Sequence, residues 1–258
     1  LPVGLVVFGL WSAALARVLY EVIKRLRQRQ FLRGALDGYV GPQIVEEVLE
    51  GRLSAGLGGR RTLICVVFAD IRGFTPRSET MTPEAVVDLL NVYFEEVIDC
   101  VYRNQGTVAQ LMGDGLMAFF GAPNSMENPS HAAFATAREM FQRLEVLNSR
   151  LQAENIGPIE IGIGLNTGQA VVGHVGAKTR HVYTATGDVV NVAARLETLT
   201  KEIGFPLLCS ESVREQVPEE TGLVSLGKHN IKGHSAMNVY GWRPTTRAWN
   251  DDALRRLS

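Results

Sequence analysis

Hydrophobic and polar positions divide the chain into segments of different period. Residues 1 to 16, LPVGLVVFGLWSAALA, carry no charge, and Arg17, Lys24, Arg25, Arg27, Arg29 and Arg33 follow against the single acid Glu21. An apolar run with a basic flank reads as the cytoplasmic end of a last transmembrane helix (1–20), with Trp11 and Tyr20 as interface anchors. Sixteen residues at ~1.5 Å each give roughly 24 Å, short of the ~30 Å hydrocarbon core. The first residue is Leu1 rather than Met, which points to a piece of a longer protein, and a cut there accounts for the deficit. The competing reading is an apolar helix buried against a partner. A signal peptide fails, because the basic residues stand on the wrong side. The pattern stays helical from Tyr20 to Glu50, interrupted at Gly38, Gly41 and Pro42, with Pro42 suited to the first turn of a second short helix. GRLSAGLGGRR, 51 to 61, then reads as a linker, so 21–59 is a signalling helix with a Gly-rich joint.

From residue 60 the pattern is that of a folded domain, 60–243, followed by a polar tail, 244–258. TLICVVFA (62–69) is a short β-branched run, the mark of a central strand buried on both faces. Thr82-Pro83-Glu84 supplies an N-cap, a proline at N1 and a first-turn acid. The helix behind it keeps its apolar spacing to about Tyr102. TVAQLM and LMAFF are strands joined by a tight Gly113-Asp114-Gly115 turn. A long helix spans roughly Pro129 to Ala153. Strands PIEIGIGLN and QAVVGHVG are expected to meet at a turn on Thr167-Gly168, Asp188 to Thr200 is a helix, and short strands follow near 206–209, 222–227 and 237–242. The β-α-β-β-α-β order predicts an α+β fold, a ferredoxin-like sheet with helices on one face and extra C-terminal elements.

Composition narrows the possibilities further. With 26 Lys+Arg against 27 Asp+Glu, the charge balance excludes the electrostatic footprint of a nucleic-acid binder. At 46% hydrophobic residues the chain is not a disordered one. Cys65, Cys100 and Cys209 lack CxxC spacing and read as reduced thiols, neither a zinc site nor a disulfide framework. There is no Walker A loop and no GxGxxG.

The candidate chemistry lies on two turns. Asp70 ends the first strand and Asp114 tips the hairpin, so neighbouring strands would bring both carboxylates to one sheet edge. Such a pair can hold one or two Mg²⁺ or Mn²⁺ ions, which take oxygen ligands and bridge substrate phosphates. Ile71-Arg72-Gly73-Phe74-Thr75 adds consecutive backbone N–H groups suited to phosphate oxygens. Either aspartate alone is as readily an ordinary turn residue or strand terminator.

FADIRGFT, GDGLMAFFGAP and TGDVVNVAARLE, in this order and spacing, resemble the catalytic domain of class III nucleotidyl cyclases from about Arg60 to Trp242. The helix-then-linker preface, RGALDGYVGPQIVEEVLEG and GLGGRR, looks like that of bacterial membrane-anchored adenylate cyclases. That layout implies an inner-membrane location with the catalytic domain in the cytoplasm, in cyclic-nucleotide signal transduction. The resemblance implies that Asp70 and Asp114 bind two metal ions, with the Ile71 carbonyl completing one site. Gly73, Phe74 and Thr75 then contact substrate. Asn191 and Arg195 stabilise the transition state from one helix face, four residues apart. Lys232 contacts the triphosphate, and His234 stands where many members carry a second basic residue. The family forms its site between two catalytic domains, so a homodimer would take Asp70 and Asp114 from one chain and Asn191, Arg195 and Lys232 from the other.

The implied reaction is attack of the ribose 3′-hydroxyl of ATP on the α-phosphorus, giving cyclic AMP and pyrophosphate. The purine-contacting positions depart from the family pattern. Gln110 stands where adenylate-specific members carry Lys and guanylate-specific ones Glu, and its partner position is Thr184. Both side chains donate and accept, so neither commits the site to one base. A guanylate cyclase acting on GTP, and a catalytically silent nucleotide-binding or dimerisation domain, are the alternatives.

Overall fold

The structure, a computed structural model, describes residues 11, 16–24, 27, 41–51, 57–231 and 233–244. The chain divides into two compact units, Leu1–Leu53 and Ser54–Ser258. The first contains helix α1, residues 16–24, and α2, Pro42–Leu49, with the proline in its first turn as the sequence predicts. No helix among the described residues is long and apolar enough to cross a membrane. The expected span itself lies largely in residues 1–10 and 12–15, outside the described residues.

The second unit runs β1 (Gly58–Ile71), α3 (Phe74–Ser78), α4 (Pro83–Arg103), β2 (Thr107–Met112), β3 (Gly115–Phe120), α5 (Pro129–Ala153), β4 (Ile161–Ala177), β5 (Arg180–Thr186), α6 (Asp188–Ile203), β6 (Leu207–Ser210), α7 (Glu211–Arg214), β7 (Val224–His229) and β8 (Met237–Trp242). The strands form one sheet in the order β2-β3-β1-β4-β6-β8-β7, with β5 paired to β4. Its first four strands, with α4 and α5, are the expected βαββαβ unit; β1 runs antiparallel to both β3 and β4. Strand β6 joins β4 in parallel.

Alternation along β1 explains the layers. Cys65, Val67, Ala69 and Ile71 point into a core shared with Leu89, Tyr93, Val97 and Val101 of α4 and with Phe134, Ala137, Met140 and Leu144 of α5. Their helical spacing makes one apolar stripe per helix. The N-cap of α4 forms as predicted, with the Thr82 hydroxyl accepting from Ala85 N at 3.3 Å. The other set of β1 positions, Ile64, Val66, Phe68 and Asp70, faces the opposite side of the sheet.

That second side is also covered, which corrects the expectation of helices on one face. Helix α6 lies on it, Val192 and Leu196 packing with Leu208 of β6 and Val239 of β8. Gly164 of β4 makes the approach possible, because a Cβ there would overlap the Ala193 carbonyl and the Glu197 amide. Two further expectations are corrected. Thr167-Gly168 is not a turn: β4 is continuous, Thr167 pairing with Cys65 and Gly168 with Ile64. Gly168 lies against Val189 of α6, which a Cβ would meet at 3.4 Å, an ordinary packing distance. Gly58 to Arg61 are strand rather than linker, aligned on His174 to Val171 of the same long strand.

Candidate active site

The Gly113-Asp114 turn joins β2 to β3, whose pairing closes at Met112 and Gly115. One residue further along, Leu116 pairs with Ala69 of β1, so the turn lies beside Asp70. A Cβ on Gly115 would stand 3.2 Å from Asp70 Oδ1, and its absence lets the turn close over the carboxylate. The two acids are near enough to share a proton. Burial first, and then the Asp70 charge and hydrogen bond, raise the Asp114 pKa above the usual carboxylate range. Two juxtaposed carboxylates that resist joint ionisation are a donor set suited to a divalent cation. Ile71 is buried in the core, so only its main chain can contribute to such a site.

A cation of the protein's own already serves this position. Lys201 Nζ donates to Asp70 Oδ2 at 3.0 Å and lies 4.0 Å from Glu197 Oε1, one turn earlier on α6. Burial works against the ammonium, but the Asp70 hydrogen bond and the Glu197 and Asp70 charges outweigh it and raise its pKa. Burial raises the Glu197 pKa, partly offset by Lys201. Neither residue was singled out from the sequence. The only local signal was the acid-to-base i,i+4 spacing, which reads equally as helix stabilisation.

Beyond Asp70 the chain turns through Gly73, in the left-handed region at φ 62°, where a non-glycine residue is strained. Phe74 packs against the core, while Thr75 is exposed in the first turn of α3. First-turn N–H groups have no partner within a helix. Arg77 pins this segment by donating to the Pro158 carbonyl at 2.6 Å and the Gly157 carbonyl at 2.5 Å.

Asn191 and Arg195 occupy a different flank of α6, Asn191 exposed and Arg195 half-buried. The Arg195 guanidinium lies over Gly233: Nη1 would be 3.2 Å from a Cβ at that residue. His234 Nε2 stands 3.0 Å from Asp188 Oδ1 in the first turn of α6, so Gly233 and His234 both lie close to the helix. Lys232 lies outside the described residues. Gln110 is exposed on β2 and Thr184 half-buried on β5, two strands that touch. The structure therefore groups the predicted residues into an aspartate pair and an Asn191–Arg195 flank, and places Gln110 and Thr184 on two strands that touch. Among the described residues it shows no ion pair between Arg195 and either aspartate.

Comparison with known proteins fits this arrangement. The family described as "Adenylate and Guanylate cyclase catalytic domain" matches residues 59–242. Adenylate cyclase 1 of Rhizobium meliloti is 36% identical over 213 residues, which are 82% of this chain and 32% of that protein. The chain thus spans about a third of that relative's length. The adenylyl cyclase CyaB from P. aeruginosa superposes with a TM-score of 0.68 at 34% identity, covering 74% of this chain and 98% of that one. The guanylyl cyclase Cya2 gives 0.66 at 32%, covering 75% and 98%. With its βαββαβ sheet, its paired aspartates and a family match across most of its length, the chain belongs to the class III nucleotidyl cyclases.

Proposed function

We propose that this chain is the catalytic part of an adenylate cyclase, converting ATP to 3′,5′-cyclic AMP and pyrophosphate as a homodimer. The observation that carries the reading is the separation of functional groups within one chain. The aspartate pair sits at one sheet edge, and Arg195 faces away from it toward Gly233. One chain then offers two half-sites, and a two-fold dimer completes both. Exposed Val171, Val175 and Val182 on the β4–β5 arm supply apolar surface for such a contact.

Asp70, Asp114 and the Ile71 carbonyl would hold Mg²⁺ or Mn²⁺, which would supply Lewis-acid activation of the ribose hydroxyl and offset leaving-group charge. Gly73, Phe74 and Thr75 offer main-chain N–H groups to phosphate oxygens. Arg195, a permanent planar cation, stabilises charge developing at the α-phosphate, while Asn191 orients the ribose and Lys232 contacts the triphosphate. Gln110 and Thr184 read the purine edge.

The family contains cyclases of both bases, and the bifunctional hydrogen bonding of Gln110 and Thr184 leaves GTP open as a second reading. Turnover of ATP and GTP in parallel, with Mn²⁺ or Mg²⁺, tests both. Cyclic AMP as main product supports the first reading, and cyclic GMP replaces it with the second. Absence of either product from a folded, metal-supplied dimer favours the silent-domain alternative. We place the full-length protein at the inner membrane, with this domain on the cytoplasmic side. The basic residues after residue 16 and the exposed Val18, Leu19, Val22 and Ile23 of α1 support this. Membrane fractionation of the full-length protein checks it.

A further inference from the structure

Lys201 is placed as more than a surface lysine. Its ammonium holds Asp70 Oδ2 at 3.0 Å, while Oδ1 of the same carboxylate is crowded by the hairpin at Gly115. Lys201 therefore holds the other oxygen of Asp70, from α6. Beside it, Glu197 is 7% exposed, and its Oε1 has no hydrogen-bond partner. That orphaned oxygen lies 4.0 Å from Lys201 Nζ. Opposite stands Gly162, where a Cβ would come within 3.0 Å of the same Oε1, so β4 leaves the carboxylate room to sit there. A lysine in the last turn of α6 is also favoured by the helix dipole. Lys201 thus has two alternative anionic partners, one at the metal site and one buried next to it.

A divalent ion bound by Asp70 and Asp114 and an ammonium on Asp70 Oδ2 would be like charges only a few ångströms apart. We propose that Lys201 is a built-in counter-cation of the aspartate pair: it neutralises Asp70 in the nucleotide-free chain and is displaced toward Glu197 when metal enters. Metal entry is then an exchange of cations, and Lys201 sets the concentration at which it happens. This inference rests on the reading of Asp70 and Asp114 as metal ligands. All the groups involved lie in one chain, so metal binding is measurable apart from turnover.

The test is Mn²⁺ binding to the nucleotide-free chain, followed by the electron paramagnetic resonance signal of free Mn²⁺. Lys201→Met, which keeps the stem and removes the charge, is expected to tighten binding about threefold to fivefold, the scale of one half-exposed ion pair. Lys201→Arg is expected to stay within about twofold of the wild type, since the charge is retained. Equal or weaker Mn²⁺ binding by Lys201→Met overturns the proposal. Asp70→Asn separates this failure from that of the underlying reading: undiminished Mn²⁺ binding there means the aspartates do not hold the metal at all. Thermal melts check that each variant is folded, and Lys201→Gln replaces Lys201→Met if the latter is not.

Discussion

The guanidinium of Arg195 occupies the space that a side chain on Gly233 would take, with Nη1 3.2 Å from where that Cβ would be. Gly233 also has φ 78°, in the left-handed region. Gly233→Ala is therefore strained twice, by its backbone and by the cation it displaces. The backbone part costs about 1 kcal/mol, or roughly 2–4 °C in Tm for a domain of this size. If Arg195 acts in the transition state, kcat falls by more than that stability loss explains, while KM changes little. Melts and steady-state kinetics on the same preparation separate the two effects.

The grouping of Asp70 with Asp114 and of Arg195 with Gly233 on different flanks makes a complementation experiment decisive. Asp70→Ala and Arg195→Ala chains should each lose activity, Arg195→Ala by about 10²–10³ in kcat, the usual cost of a positioned transition-state donor. Mixed in equal amounts with free exchange, half of the dimers are heterodimers, each with one intact site. About a quarter of wild-type sites should then return. Activity that stays at the level of the separate variants, with mixed dimers demonstrated by affinity tagging, would rule out a shared site.

Burial and the Asp70 charge raise the Asp114 pKa, and this has a sign for stability. The folded state holds the Asp114 proton more tightly than the unfolded chain does. The stabilising effect of that proton is present at low pH and is lost as the pH rises from the ordinary carboxylate range through the raised Asp114 value. At neutral pH without metal the charged pair costs stability. Asp114→Asn should then raise the metal-free Tm by about 1–2 °C at pH 7, with the gain shrinking toward pH 4. The same variant should lose cyclase activity and the metal-induced rise in Tm. A metal-free melt no higher than the wild type at pH 7 would contradict the electrostatic account.

Much of this site was legible in local pattern, and the remainder depends on contacts between distant residues. The β2–β3 hairpin, the Thr82 cap and the length of α5 follow from turn chemistry and periodicity, which act within a few residues. The glycines misled, because one residue type serves two purposes. Gly168 continues β4 where a turn was expected, and periodicity does not distinguish a glycine that turns from one that stays within a strand. Gly58 and Gly59 likewise read as linker, and only pairing with β4 makes them strand. The Lys201–Asp70 contact joins residues 131 positions apart, so neither neighbourhood announces the other. The contact exists because α6 packs on the second face of the sheet, beside the end of β1.

Close packing of α6 on β4 predicts where this domain is least tolerant of added volume. A Cβ on Gly164 would overlap main-chain atoms of Ala193 and Glu197, which cannot rotate away as a side chain could. Gly164→Ala should therefore destabilise at the upper end of the usual 1–3 kcal/mol for overpacking, about 5–10 °C in Tm. Because α6 carries Asn191, Arg195 and Lys201, the displaced helix should also lower activity below the melt. Retained Tm and activity would mean that α6 can slide without consequence.

The choice of purine rests on two side chains that can each present either polarity. Gln110 is exposed on β2, and Thr184 is half-buried on the adjoining β5. A Gln amide can turn its oxygen toward the adenine amino group or its NH₂ toward the guanine carbonyl, so the wrong base leaves no group unpaired. A Lys at 110 can only donate and a Glu can only accept, and each then penalises one base with an unsatisfied partner worth about 1–3 kcal/mol. Gln110→Lys should accordingly raise the ATP-over-GTP ratio of kcat/KM by about tenfold, and Gln110→Glu should lower it by a similar factor. Thr184→Ala removes one donor-acceptor group without substituting a committed one, so it should reduce kcat/KM for both nucleotides and leave their ratio within about threefold. Measured on the same dimers, opposite shifts for Lys and Glu would identify position 110 as the reader of the base. Parallel shifts would remove Gln110 from the purine pocket and leave selectivity to residues beyond this strand pair.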